Sequence, residues 1–342
     1  MTPLFNVVAP GFHSTIQDEG RRGFQHVGVP LSGALDRDGY RLANALVGNS
    51  PGAACLEIMG SGPVFEVVAG SARVALMGGD SLVIDGNDRP IRPGRTVRVR
   101  KGDTLRVKFG GEALCAYLAV EGGFDVPLSL GSRSTYTRAG FGGVSGRPLG
   151  SGDTLHGYTD DVALRDETAL AAPRELCLDQ PIRVVLGPQH DYFTDAAIEA
   201  FLRGAYTITP ASDRMGFRLA GPALQHKGDY NIVSDGIVPG SIQVPGSQLP
   251  IILMADAQTS GGYPKIATVI SADLPRLGVR GAGRTVSFAA VSRDDAEKIA
   301  RAAHQQLLAV IGDIRTVSEA GIINIEALYN QNLIDGVIDA NS

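Results

Sequence analysis

Short apolar runs, each broken after a few positions by glycine or proline, fill the chain from Leu56 to about Thr154. Val64-Phe65-Glu66-Val67-Val68, Ala72-Arg73-Val74-Ala75-Leu76 and Ser81-Leu82-Val83-Ile84 each have the length and β-branched content of a strand. Thr96-Val97-Arg98-Val99-Arg100 and Thr104-Leu105-Arg106-Val107-Lys108-Phe109 alternate apolar and basic residues with period two, so each predicts a half-buried strand. Lys101-Gly102-Asp103 between them predicts that the two form a hairpin. One helix is expected in this half. Asp36 supplies an N-cap oxygen, Leu42, Ala43, Leu46 and Val47 form the apolar stripe, and Gly48 ends it.

A charged, alanine-rich stretch with prolines at its end, from about Asp160 to Pro181, marks the boundary between two domains. Beyond it come a strand at Ile182-Arg183-Val184-Val185-Leu186 and a helix from about Thr194 to Arg203. Ser241-Ile242-Gln243-Val244 and Pro250-Ile251-Ile252-Leu253-Met254 flank a turn, and a late strand runs from Thr285 to Val291. The longest helix is capped by Ser292, with Asp295 as the acid of a capping box and Ala296, Ile299, Ala300, Ala303, Leu307 and Ile311 as its stripe. The organisation expected is therefore mainly β with few helices: an N-terminal β domain over 1–175, a second β domain over 180–312, and a tail over 313–342. In the tail only Asn324-Ile325-Glu326-Ala327-Leu328-Tyr329-Asn330 has an amphipathic pattern, and the tail reads as peripheral or as a partner-docking arm.

Composition supports this reading. There are 44 glycines in 342 residues, nearly twice the usual ~7%, and no tryptophan, which suits many tight turns between short strands. A formal net charge of −5 provides no basic field for nucleic acid or anionic lipid. Met1-Thr2-Pro3-Leu4-Phe5-Asn6 lacks the pattern of a signal peptide and no apolar run is long enough to span a membrane, so a cytoplasmic location is expected. Cys55, Cys115 and Cys177 are widely spaced and suggest neither a disulfide framework nor a zinc site.

Several chemistries are excluded by search. No Gly-Lys pair occurs, so there is no Walker-type phosphate loop, and there is no His-Glu-x-x-His. Gly48-Asn49-Ser50-Pro51-Gly52 matches a nucleophile-elbow spacing but follows a helix and contains proline, so it reads as a turn. The six histidines, His13, His26, His156, His190, His226 and His304, form no pairs at ligand spacing, so no metal site is expected and each reads as structural or solvent-exposed. What remains is four polar, glycine-rich loops, the places where sheet proteins carry chemistry. They are Ser14 to Asp36, Gly131-Ser132-Arg133-Ser134-Thr135-Tyr136, Ser212-Asp213-Arg214-Met215-Gly216-Phe217-Arg218-Leu219, and Met254 to Lys265.

With Tyr117-Leu118-Ala119-Val120-Glu121-Gly122-Gly123-Phe124-Asp125-Val126-Pro127 and Pro239-Gly240-Ser241-Ile242-Gln243-Val244-Pro245, these loops resemble the biotin-dependent carboxyltransferase, or allophanate hydrolase subunit 2, family over about residues 4–310. The resemblance implies a cyclophilin-like β-barrel in the C-terminal half with a β domain beside it. It also implies a partner, a subunit-B-like (allophanate hydrolase subunit 1) protein, with a composite site near their contact and an A-type subunit as a further component. Three departures bear on substrate more than on fold: Asp235 stands where the family usually has Glu, Ala257 where relatives are often polar, and Gln248-Leu249-Pro250 replaces Gly-Gln-Pro.

Within the matching loops, the candidate catalytic residues are Arg214, Asp213, Gln258 and Lys265. The candidate substrate contacts are Ser212, Gln243, Thr259, Gly261, Gly262, Tyr263 and Arg133. Arg214 either clamps a substrate oxyanion with its planar fork or pairs with Asp213 to pin its loop. The 258–265 loop offers amide, hydroxyl and backbone N–H groups to a polarised carbonyl. Gln17, Asp18, Arg21, Ser32 and Asp36 form a second polar cluster, with Asp36 explained as a cap. The resemblance implies one component of an ATP-dependent 5-oxoprolinase that opens an amide substrate, with the component holding ATP left open. A carboxyltransferase acting on urea or a related amide is the first alternative. It would need biotin carried on another chain, since no Met-Lys attachment signature occurs. A non-catalytic antagonist of a kinase inhibitor is the second.

Overall fold

A computed structural model describes residues 2–85, 90–109 and 114–317. The first half forms two five-stranded antiparallel sheets. One has the order Thr154–Gly157, Thr2–Ala9, Val64–Val67, Thr104–Lys108, Ser81–Ile84. The other has the order His13–Gln17, Cys55–Met59, Cys115–Val120, Ser71–Gly78, Thr96–Arg100. They face each other across a core that includes Phe5, Phe65 and Leu105 from the first sheet and Ile58, Leu76 and Leu118 from the second.

The predicted hairpin does not form. Thr96–Arg100 pairs with Ser71–Gly78 in one sheet, while Thr104–Lys108 pairs with Val64–Val67 and Ser81–Ile84 in the other. Each strand has the alternation of a half-buried strand, but their apolar faces point into a shared core from opposite sheets. The 101–103 turn, tied by Arg100 N–H to the Asp103 carboxylate at 2.7 Å, is a corner of the sandwich.

The second sheet is buried on both faces. Helix α1 (Arg37–Leu46) covers its outer face with Tyr40, Leu42, Ala43 and Leu46, in one core with Cys55, Met59, Met77 and Tyr117. Asp36 caps this helix as expected, accepting the Gly39 N–H at 3.0 Å. The same core continues into the second half.

That half is an eight-stranded sheet whose order starts at Thr285–Val286 and ends at Phe288–Ala290. Only Ser287 separates these two strands, so the sheet curls into a nearly closed barrel whose edges are joined by the chain itself. The late strand expected over Thr285 to Val291 is thus split. Before Ser287 it pairs antiparallel with Tyr206–Ile208, and after it runs parallel to Ile182–Leu186. Helix α2 (Asp195–Arg203), capped by Thr194, stacks Phe201 on Phe288 with centroids 4.5 Å apart. Helix α3 (Leu274–Gly278) packs beside α1. In α4 (Arg293–Gly312) the Ser292 hydroxyl caps Asp295 N–H at 3.1 Å, and Leu307 is the stripe residue that is buried. Beyond α4, Arg315–Val317 pairs with Glu167–Ala169, tying the start of the expected tail to the linker. The amphipathic segment 324–330 lies outside the described residues. Among the described residues, no helix is long and apolar enough to cross a membrane.

Candidate functional site

Register determines which side chains of the second sheet look toward the barrel. His13 lies opposite Met59, Thr15 opposite Glu57, and Glu57 opposite Tyr117. Partners directly across a ladder share a face. Leu56 and Ile58 therefore enter the sandwich core, while Cys55, Glu57 and Met59 turn to the barrel side, where a carboxylate in an otherwise apolar strand needs a partner.

The partner is Arg214, 157 positions away. It sits just before strand Gly216–Ala220, and Asp256 lies across from it, with Asp256 N–H donating to Arg214 O at 2.9 Å. The Arg214 guanidinium donates from Nε and Nη2 to both Asp256 oxygens, at 2.8 and 3.2 Å. Nη2 also donates to the Gly33 carbonyl at 2.8 Å and Nη1 to Glu57 Oε1. The second Glu57 oxygen accepts Tyr117 OH at 2.7 Å and Leu35 N–H at 2.9 Å. Burial opposes the charge on Arg214, but Asp256 and Glu57 more than offset it and its pKa is raised. Burial likewise keeps Tyr117 protonated, as the donor to Glu57.

Arg214 therefore joins the halves and has little fork left for a ligand. Its acid partners are Asp256 and Glu57; Asp213 instead accepts Met215 N–H at 2.8 Å and Gly216 N–H at 3.2 Å, shaping its own turn.

A cleft of about 630 Å³ opens over this triad. Asp256, Arg214, Ser212 and Asp213 reach it from the barrel, His13 and Met59 from the second sheet, and Tyr136 and Arg138 from a loop of the first half. Phe12, Leu114, Ile208 and Phe217 add apolar walls. A largely apolar cavity with a few convergent polar groups is the usual form of a small-molecule site. The Tyr136 phenol has no hydrogen-bond partner among the described residues, and burial with Asp256 nearby holds it protonated. Its hydroxyl is a donor available to a carbonyl oxygen.

The rest of the expected site is at the other end of the short barrel strands. In the ladders, Gly216 meets Leu253 next to Arg214, whereas Gln243 meets Ile251 and Lys265 at the opposite end. Lys265 is buried; its Nζ donates to Asp235 at 2.5 Å and to Gly236 O at 3.1 Å. Gln189 also donates to Asp235, at 3.3 Å, and takes the Lys265 N–H at 3.2 Å. The side chain of Gln243 donates to Tyr263 O at 3.3 Å, close against Gly261, where a Cβ would come within 2.7 Å of the amide nitrogen. Asp235–Gly236 pairs with Ser260–Gly261 above this group. Gln258 and Tyr263 are exposed, and Thr259 and Gly262 half-buried. Ala257 is packed under the loop with Ile237 and Leu253, which explains an apolar residue there.

Arg133 belongs to neither centre. Its backbone N–H and its side chain are spent on Asp18, Val126 O and Tyr158 within the first half. The sequence does not mark Glu57, includes Asp256 in the 254–265 loop without a role of its own, and reads His13 as structural or solvent-exposed. The legible signal for Glu57 was a single acid in Cys55-Leu56-Glu57-Ile58-Met59. Among the described residues, no group of three or more His, Cys, Asp or Glu side chains is placed to hold a metal ion.

Residues 27–290 match the model of a family described as "Carboxyltransferase domain, subdomain A and B". The C subunit of 5-oxoprolinase from Escherichia coli (strain K12) is 36% identical over 296 residues, 86% of this chain and 94% of that protein. Its namesake in Haemophilus influenzae is 37% identical over 290 residues, 84% of this chain and 91% of that one. The crystal structure of the K. lactis urea amidolyase is similar with a TM-score of 0.81 and 30% identity, over 95% of this chain but 21% of that longer one.

Proposed function

The chain belongs to the carboxyltransferase family of subdomains A and B, and from that premise we propose that it is the C-type subunit of an ATP-dependent 5-oxoprolinase. The observation that carries this reading is correspondence from nearly end to end, over 94% and 91% of two proteins named as C subunits of 5-oxoprolinase. In this reading the cleft takes the lactam, with the Tyr136 hydroxyl and the Asp256 edge available to its carbonyl and N–H. Arg214 is a positioning residue that fixes Asp256 between the halves. The exposed Gln258 and Tyr263, with Thr259, Gly261, Gly262, Gln243 and Lys265 beneath them, form a face for the subunit-B-like partner.

The N-termini of α1, α2 and α4, where backbone N–H groups would cradle phosphate, are already capped by Asp36, Thr194 and Ser292. We assign the nucleotide to a partner protein, and the isolated chain is expected to show no ATP-dependent turnover.

The likeness to urea amidolyase over 95% of this chain favours a second reading, carboxyl transfer to an amide from biotin carried on another protein. Co-expression with A-type and B-type partners separates the two. The first reading expects ATP hydrolysis dependent on 5-oxoproline, with glutamate formed in equal amount. A complex inert to 5-oxoproline that carboxylates urea from a carboxybiotin carrier would establish the second.

A further inference from the structure

His13 opens the edge strand His13–Gln17 and turns its ring to the barrel side, where it lines the cleft beside the Arg214 triad. Its Nδ1 is enclosed with no partner other than its own backbone. The residue is half-buried on the cleft wall, and no hydrogen bond joins its Nε2 to a described residue. The ring thus stands on the wall of a cavity in which Arg214 is committed to Asp256, Glu57 and Gly33 O and Tyr136 is protonated. Burial first, and then the nearby Arg214 cation, hold the imidazole pKa below its ordinary 6.5, so it is neutral at pH 7 with a lone pair to offer. Glu57 and Asp256 pull the other way without reversing this. Of the charged groups around the ring, Arg138 and Asp213 are also on the cleft wall.

We propose that His13 is the acid–base residue of this cleft, its Nε2 taking a proton from the water that attacks the substrate amide carbon and returning it to the departing nitrogen. This rests on the amide-opening reading above. The carbon–oxygen bond forms as the water O–H bond breaks and the proton moves to Nε2. The carbon–nitrogen bond then breaks as that proton passes to nitrogen, leaving imidazole neutral and a carboxyl group on carbon. Such a proton relay typically contributes 10²- to 10⁴-fold.

The test uses His13→Gln and His13→Asn in the assembled complex. Turnover is expected to fall on the order of 100-fold with KM for 5-oxoproline little changed, and the acid limb of the kcat/KM profile should disappear. In parallel, the His13 ring resonance of the isolated chain, assigned by its loss in His13→Gln, is followed by NMR on adding L-5-oxoproline or 2-pyrrolidone. An active complex whose His13→Gln form keeps both turnover and the acid limb overturns the proposal and leaves the function standing. An inactive complex whose His13 resonance still moves with either probe sinks the 5-oxoprolinase reading and supports His13 as the group that meets an amide. If the complex is inactive and neither probe moves the resonance, both fall.

Discussion

Arg214 is buried between two carboxylates, and that geometry predicts what its removal does. Arg214→Ala leaves Glu57 and Asp256 as uncompensated buried acids, a loss of about 3–5 kcal/mol by analogy with broken buried pairs. Arg214→Lys keeps the charge but cannot reach Asp256, Gly33 O and Glu57 together, and should fall between wild type and Ala. Thermal unfolding at pH 7 reads both; a melting temperature unchanged in Arg214→Ala would refute the buried lock. His13 predicts the sign of a pH effect. Its pKa is depressed in the folded chain, so the unfolded chain binds a proton first as pH falls below about 6.5. That contribution to stability is present above 6.5 and is lost as pH drops through the folded value. His13→Gln should therefore show a shallower loss of denaturation midpoint between pH 7 and 5 than wild type. At this scale the sequence disclosed candidates better than partners. Arg214 stood out among polar neighbours, yet its partners are 42 and 157 positions away, and no local pattern points from Arg214 to Glu57.

Elements whose signals are local were legible; pairings between them were less so. Helix α1 was readable because Asp36, the stripe and Gly48 all lie within one segment. The 96–108 region was misread as a hairpin because period two reports that one face is buried, without reporting which sheet buries it. Asp36 also shows how an element joins distant chain. One carboxylate caps Gly39 and receives both Arg174 nitrogens, at 2.5 and 2.9 Å. Asp36→Asn keeps a capping oxygen but loses the charge pairing, whereas Asp36→Ala loses both. The Ala variant should be less stable than Asn by about 1 kcal/mol, the usual worth of a cap, as read by urea unfolding. Equal stability of the two would mean that the cap contributes nothing beyond the ion pair. The chemistry of the 258–265 loop was legible as residue types, but its distance from Arg214 was not. Opposite ends of the same strands carry the two groups, and end assignment follows from the barrel's ladder order.

The sandwich and barrel sheets lie on either side of the linker, but the apolar core does not divide there. One apolar core runs from Tyr40, Met59, Met77 and Tyr117 through to Phe193, Phe217, Ile252 and Leu277 of the barrel half. Gly278 of α3 comes so close to the first half that a Cβ there would lie 2.7 Å from the Leu35 carbonyl oxygen. The Arg214–Glu57 pair crosses the same seam. A cut in the 170–180 linker would leave one fragment with Glu57 deprived of Arg214 and the apolar barrel-side face uncovered, and the other with the Arg214–Asp256 pair open to water. Domains that fold alone close their own cores before docking; the first half closes the core between its two sheets, but the core beneath α1 is shared with the barrel and is closed by neither half alone. Separately expressed fragments 1–175 and 180–317 are therefore expected to be insoluble or to lack a cooperative thermal transition, and to recover one when co-expressed. Two soluble monomers, each melting cooperatively alone, would show that the seam is an ordinary docking contact; the cleft would then be free to open and close between them rather than being held at one width by the ion triad beneath it.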